Sequence, residues 1–228
     1  MRIRTLFLAL ISGCAAAPKG PRPDYATLDV EGWTVHVRRS LLEGGRGETG
    51  RRALALLGRQ LFDVGRAVPP GAVEQLRKVP IWLGVGDGTG AGAEYHPSAE
   101  WLREHGHDPA KAKAVEIGDA DRFLRYSKDQ PAVLLHELAH AYHDRVLGFD
   151  HPEVLAAYRK AVEGGRYEEV LHVRGRRERH YAMKDAKEYF AEGTEAWFGT
   201  NDFYPFVRAE LREVDPELCA VLQKLWSR

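Results

Sequence analysis

Pro131-Ala132-Val133-Leu134-Leu135-His136-Glu137-Leu138-Ala139-His140-Ala141-Tyr142-His143-Asp144-Arg145-Val146-Leu147-Gly148 anchors the architecture of this chain. Leu135, Leu138, Ala139, Tyr142 and Val146 recur at helical spacing, so a helix is predicted over residues 131 to 147. Pro131 suits its first turn and Gly148 its end. Leu134, Leu135, Leu138, Ala141 and Tyr142 leave little width for solvent. The helix is therefore expected to be largely buried, and its polar groups need partners there.

On the N-terminal side of this helix the pattern changes. Trp33 to Val37 alternates as a strand, and Thr49 to Val68 carries helical spacing through Leu54, Leu57, Leu61 and Val64 until Pro69-Pro70 stops it. Val79 to Val85 and Ala114 to Ile117 are further strand candidates. Gly86 to Gly92 is glycine-rich, but no Gly-Lys-Ser/Thr closes it, so it reads as a loop rather than a phosphate cradle. Strands followed by a helical second half give an α+β class. A chain of 228 residues with 44% hydrophobic side chains suits one globular domain, here residues 25 to 228.

The first residues follow another logic. Arg2 and Arg4 precede the apolar run Thr5 to Ile11 and the small residues Ser12-Gly13, the layout of a secretory signal over residues 1 to 13. Ile11-Ser12-Gly13-Cys14 resembles a bacterial lipobox, so Cys14 is the expected lipidated residue, followed to residue 24 by a flexible tether containing Pro18, Gly20, Pro21 and Pro23. The protein is then expected to be exported and anchored at the bacterial cell envelope, touching the membrane only through this lipid. Lipidation would leave Cys219 as the one ordinary thiol, excluding an intramolecular disulfide. Lys+Arg and Asp+Glu both number 33, so no global field of one sign recruits nucleic acid, and no nucleic-acid partner is expected.

Within the long helix, His136 and His140 lie four apart and share a face one turn from each other, so two imidazoles can grip one zinc ion. Glu137, beside the first histidine, can reach water at that ion, whose acidity zinc raises towards ~7, and so can act as a general base. A catalytic zinc needs a third protein ligand and an open position. Val146 stands where a third histidine six residues after His140 would fall. His143 lies about 10 Å along the axis from His136 and reads as a supporting or structural residue.

The stretch Tyr181-Ala182-Met183-Lys184-Asp185-Ala186-Lys187-Glu188-Tyr189-Phe190-Ala191-Glu192-Gly193-Thr194-Glu195 is the better source of that ligand. A helix is predicted over residues 185 to 198, with Glu188, Glu192 and Glu195 on one face and Phe190, Trp197 and Phe198 in core contacts. Asp185-x-x-Glu188 also fits a capping box, which would make Glu188 a residue of the helix start. Glu192, one turn beyond Glu188, could orient a ligating histidine or face solvent. The basic run Arg174, Arg176, Arg177 and Arg179 could bind acidic substrate or form a solvated loop, and Tyr95-His96-Pro97 could line a substrate cleft as an edge segment.

His-Glu-Leu-Ala-His followed by Tyr-x6-Glu-Tyr-Phe-Ala-Glu resembles the catalytic domain of the anthrax lethal factor-like metallopeptidases, which include the Pro-Pro endopeptidases, in the gluzincin group. The resemblance covers roughly residues 128 to 200. It implies a zincin-like domain, one Zn2+ ion held by His136, His140 and Glu188, Glu137 as catalytic base, and Tyr181 assisting the oxyanion. The expected activity is hydrolysis of a peptide bond in a peptide or protein substrate. Specificity lies in pocket residues outside these motifs, so the Pro-Pro preference is not carried over. The competing expectation is a surface binding lipoprotein whose zinc is structural, closed by a fourth side chain such as His143 or His180.

Overall fold

A computed structural model describes residues 24–86 and 92–227. The expected signal, Cys14 and all of the tether except Asp24 lie outside the described residues, as do residues 87–91 of the glycine-rich segment.

The chain opens with β1 (Tyr25–Val30) and β2 (Trp33–Arg38), an antiparallel hairpin. Its two-residue turn, Glu31-Gly32, has positive φ at both positions, 55° and 85°, the backbone whose twist suits a tight hairpin. Along β2, Trp33, Val35 and Val37 face the core while Thr34, His36 and Arg38 do not, the expected period of two. A long helix, α1 (Gly47–Ala67), and the shorter α2 (Pro70–Leu76) then cross to β3 (Ile81–Leu83), parallel to β2. The short edge strand β4 (Glu94–Tyr95), helix α3 (Ala99–Glu104) and strand β5 (Val115–Ile117) follow. The mixed sheet has the order β1-β2-β3-β5-β4, with β2, β3 and β5 parallel and both outer strands antiparallel to their neighbours.

Leu57, Leu61 and Val64 of α1 join Ile81, Leu83, Val115 and Ile117 in the main core. Burial of such side chains is worth about 1.5–3 kcal/mol each. Gly50 lets α1 approach the preceding segment: a Cβ there would lie 1.8 Å from the Leu41 carbonyl oxygen. The strand expected over residues 79 to 85 is confined to Ile81–Leu83. Pro80 brings no N–H to a ladder, although its carbonyl accepts from the Val115 N–H at 3.0 Å.

The second half is helical: α4 (Ala120–Tyr126), α5 (Val133–Tyr142), α6 (Pro152–Glu163), α7 (Ala186–Phe198), α8 (Arg208–Val214) and α9 (Pro216–Trp226), with a small hairpin of β6 (Val170–Leu171) and β7 (Arg177–Glu178). The protein is thus α+β, about 56% helical. Helix α5 packs against α1, α2, β4, β5 and α7, which explains why nearly all of its side chains are buried. Its regular turns begin two residues later than the sequence predicts, at Val133, and widen after Tyr142 into a π-helical turn, His143–Leu147, ending at Gly148 with φ 84°. Helix α7 is sandwiched by α5, α6, α8 and α9. Cys219 is a buried free thiol, pushed up to about 11 by burial. No helix among the described residues is long and apolar enough to cross a membrane.

Candidate metal centre

The packing of α5 on α7 brings two separated segments together. Nε2 of His136 and Nε2 of His140 lie 3.0 Å apart, and Oε2 of Glu188 lies 3.1 Å from each. Glu188 is a residue of the helix start, as the capping pattern implies, but its carboxylate does not close a capping box and faces the two histidines instead. It stands in the first turn of α7, whose Asp185 cap accepts from the Glu188 N–H at 3.0 Å, and its side chain reaches across to α5.

On the far side of the His136 ring, Nδ1 lies 2.7 Å from Glu195 Oε1. In a neutral ring that donates Nδ1–H to this carboxylate, Nε2 is left as a lone pair facing the His140 nitrogen and an anionic oxygen. Three electron-rich atoms at this spacing require a proton or a cation between them. Ligands held tetrahedrally at ~2.0–2.2 Å from a zinc ion stand about 3.3–3.5 Å apart. The observed 3.0–3.1 Å needs an opening of only a few tenths of an ångström. These buried or half-buried side chains could therefore hold a metal ion. The structure carries the same signature in charge. Burial opposes the charged form of His136, but bonds from Glu188 and Glu195 outweigh it and raise the imidazole well above its usual value. Burial likewise opposes the Glu188 carboxylate, yet the two histidines hold its carboxyl far below the ordinary range. His140, dominated by burial, is lowered.

Glu137 projects from the same helix beneath the edge strand, where the Tyr95 N–H of β4 donates to its Oε2 at 2.7 Å. Burial pushes its carboxyl up to about 7, against the opposing pull of His136 and the Tyr95 N–H. His136, Glu137, His140, Glu188 and Tyr181 open onto one cleft of about 620 Å³. Tyr181 is 43% exposed in its wall, and its phenol oxygen accepts from Lys184 Nζ at 2.8 Å. Tyr95 and Pro97 line this cleft, whereas His96 turns inward and meets the buried Glu116 at 2.8 Å.

Glu192 does not take the orienting role. Its carboxylate is 3.6 Å from His136 Nδ1 and instead accepts from the Asn201 side chain at 2.9 Å, while Glu195, seven residues beyond Glu188, makes the close contact. Two helical turns from Glu188 the chain returns to the same face, a signal present in the spacing. Glu192 and Glu195 are both buried, and burial, followed for Glu192 by repulsion from Glu195, raises their carboxyls. His143 is fully buried, packs its ring against Phe149 and Phe190, and is pushed down to about 4 by burial. His180 accepts from the Ala182 N–H at 3.1 Å. Among the described residues, neither joins the group of three donors. In the basic run, Arg174 and Arg176 border the cleft; Arg174 is paired with Asp129, Arg176 with Glu178 and Arg179 with Glu168.

No model of a known protein family, no curated protein and no solved structure matches this chain. The fold and the site together define an α+β protein with a His-His-Glu group suited to a metal ion.

Proposed function

We propose that this protein is a zinc-dependent peptidase of zincin-like fold, with His136, His140 and Glu188 as metal ligands. The observation that carries the reading is the convergence of those three donor atoms beside a buried carboxyl, Glu137, on one cleft. A zinc ion bound there would supply Lewis-acid polarisation of a carbonyl and would acidify water.

The chain's own residues supply the rest. Tyr95 fixes one oxygen of Glu137 through its backbone N–H, so the other is available to take a proton from water and return it to the departing amine. The Tyr181 phenol, on the wall of the same cleft, would donate to the carbonyl oxygen as negative charge develops, a contribution of about 3 kcal/mol for one preorganised donor. Glu195 holds His136 in the tautomer that offers Nε2. The edge strand β4 borders the cleft, where an extended peptide could lie. Three protein donors, without His143 or His180, support catalysis over a closed structural site. Export and lipidation at Cys14 belong to the same proposal and rest on the sequence of residues 1 to 14.

Glu137→Gln is expected to retain zinc, measured by metal analysis, and to lose cleavage of a diverse peptide pool by about 10²–10⁴-fold. Undiminished turnover by this variant would refute the assignment.

A further inference from the structure

The side chain that links the two halves of the proposed machinery is Lys184. It sits at the junction between the 3-10 turn Tyr181–Met183 and helix α7, immediately before the Asp185 cap. Its Nζ donates to Glu188 Oε1 at 2.9 Å and to the Tyr181 phenol oxygen at 2.8 Å. The Glu188 carboxylate is thereby divided: Oε2 faces the two imidazoles, and Oε1 faces the ammonium. The phenol is divided too. An ammonium has only protons to give, so it occupies a lone pair of the Tyr181 oxygen and leaves the phenol O–H free to donate elsewhere.

We propose that Lys184 is a positioning residue of this site, restricting Glu188 to a metal ion through one oxygen and keeping the Tyr181 proton available to the cleft. The inference rests on the metal-site reading above but is separable from the hydrolytic one. An ordinary exposed pair four residues apart would be worth about 0.3–0.5 kcal/mol and would have no other consequence. Lys184 differs because its carboxylate partner is only 8% exposed and its second partner is a phenol that opens onto the same cleft. Removal of the ammonium frees Oε1 to approach the ion as well, which raises the coordination number, and lets the phenol turn.

The test uses the whole protein loaded with Co2+, whose visible absorption is strong in four-coordinate and weak in five-coordinate sites. Lys184→Met is expected to lower the band intensity severalfold and Lys184→Arg to retain it, both read without substrate. On a cleaved peptide, Lys184→Met should lower kcat about tenfold or more with KM changed by less than about threefold, and the loss should shrink when Tyr181→Phe is already present. Should Lys184→Met fail to fold by circular dichroism, Lys184→Gln replaces it. An unchanged Co2+ spectrum in the neutral variant overturns the proposal and leaves the peptidase reading standing. A changed spectrum in a protein that cleaves no peptide upholds it and removes that reading. Failure of the wild-type protein to bind Co2+ overturns both.

Discussion

Replacing Glu195 by Gln separates the residue that orients His136 from the neighbour that only lies near it. The Glu195 carboxylate accepts from Nδ1 at 2.7 Å in a fully buried setting, whereas Glu192 stands at 3.6 Å, beyond a hydrogen bond. The amide oxygen of Gln preserves an acceptor but removes the charge. A hydrogen bond to a charged group contributes about 1.5–3 kcal/mol and a neutral one about 0.5–1.5, so the variant should lose about 1–1.5 kcal/mol. That amounts to roughly tenfold in zinc affinity, and Glu195→Ala should reach the upper part of the ~10–100-fold range for supporting partners. Glu192→Gln should weaken binding by less than about threefold, since it leaves the close contact intact. The metal-free Glu195→Gln protein should unfold at a lower temperature than wild type, because burial raises the Glu195 carboxyl but its bond with His136 opposes that rise, and the amide takes this charged partner away from a buried imidazole. Competition against a chromophoric chelator at neutral pH gives the affinities, and thermal unfolding with excess chelator gives the stabilities. Wild-type affinity in Glu195→Gln together with a tenfold loss in Glu192→Gln would show that the orienting carboxylate has been misassigned.

Two further perturbations test the frame around the site. Gly50→Ala gains about 1 kcal/mol of helix propensity but drives a Cβ to 1.8 Å from the Leu41 carbonyl oxygen, which costs about 3 kcal/mol, so denaturant unfolding should show a net loss of about 2 kcal/mol; a more stable variant would contradict the close approach of α1 to Leu41. Glu116, buried with Lys111 and His96, experiences a burial effect that raises its carboxyl, but bonds from His96 and Lys111 outweigh it and hold the carboxyl below the usual value. A depressed folded-state value stabilises above the unfolded value of ~4.3 and loses that contribution as pH falls through the folded value. Glu116→Gln should therefore cost about 3 kcal/mol at pH 7, and its deficit should narrow below about pH 4; a pH-independent deficit would contradict the ion pair.

Elements with strong periodicity, and chemistry that fits within one helix, are legible in the order of residues alone. Leu57, Leu61 and Val64 mark α1, Trp33, Val35 and Val37 mark β2, and His136 and His140 share a face because one turn separates them. The β1–β2 hairpin is hard to read in the sequence because Glu31-Gly32 is a weak version of the turn signal, although its second residue is the glycine that positive φ favours. Short strands such as β4 leave little periodic trace. Which carboxylate meets which nitrogen was decided only by the crossing of α5 and α7. Helical spacing places Glu188, Glu192 and Glu195 on one face without saying which reaches across. The Tyr95 N–H on Glu137 and the division of Glu188 between Lys184 and the histidines have the same origin. Such contacts depend on the distance between elements remote in the chain, and a sequence pattern carries direction around a helix but no distance between helices.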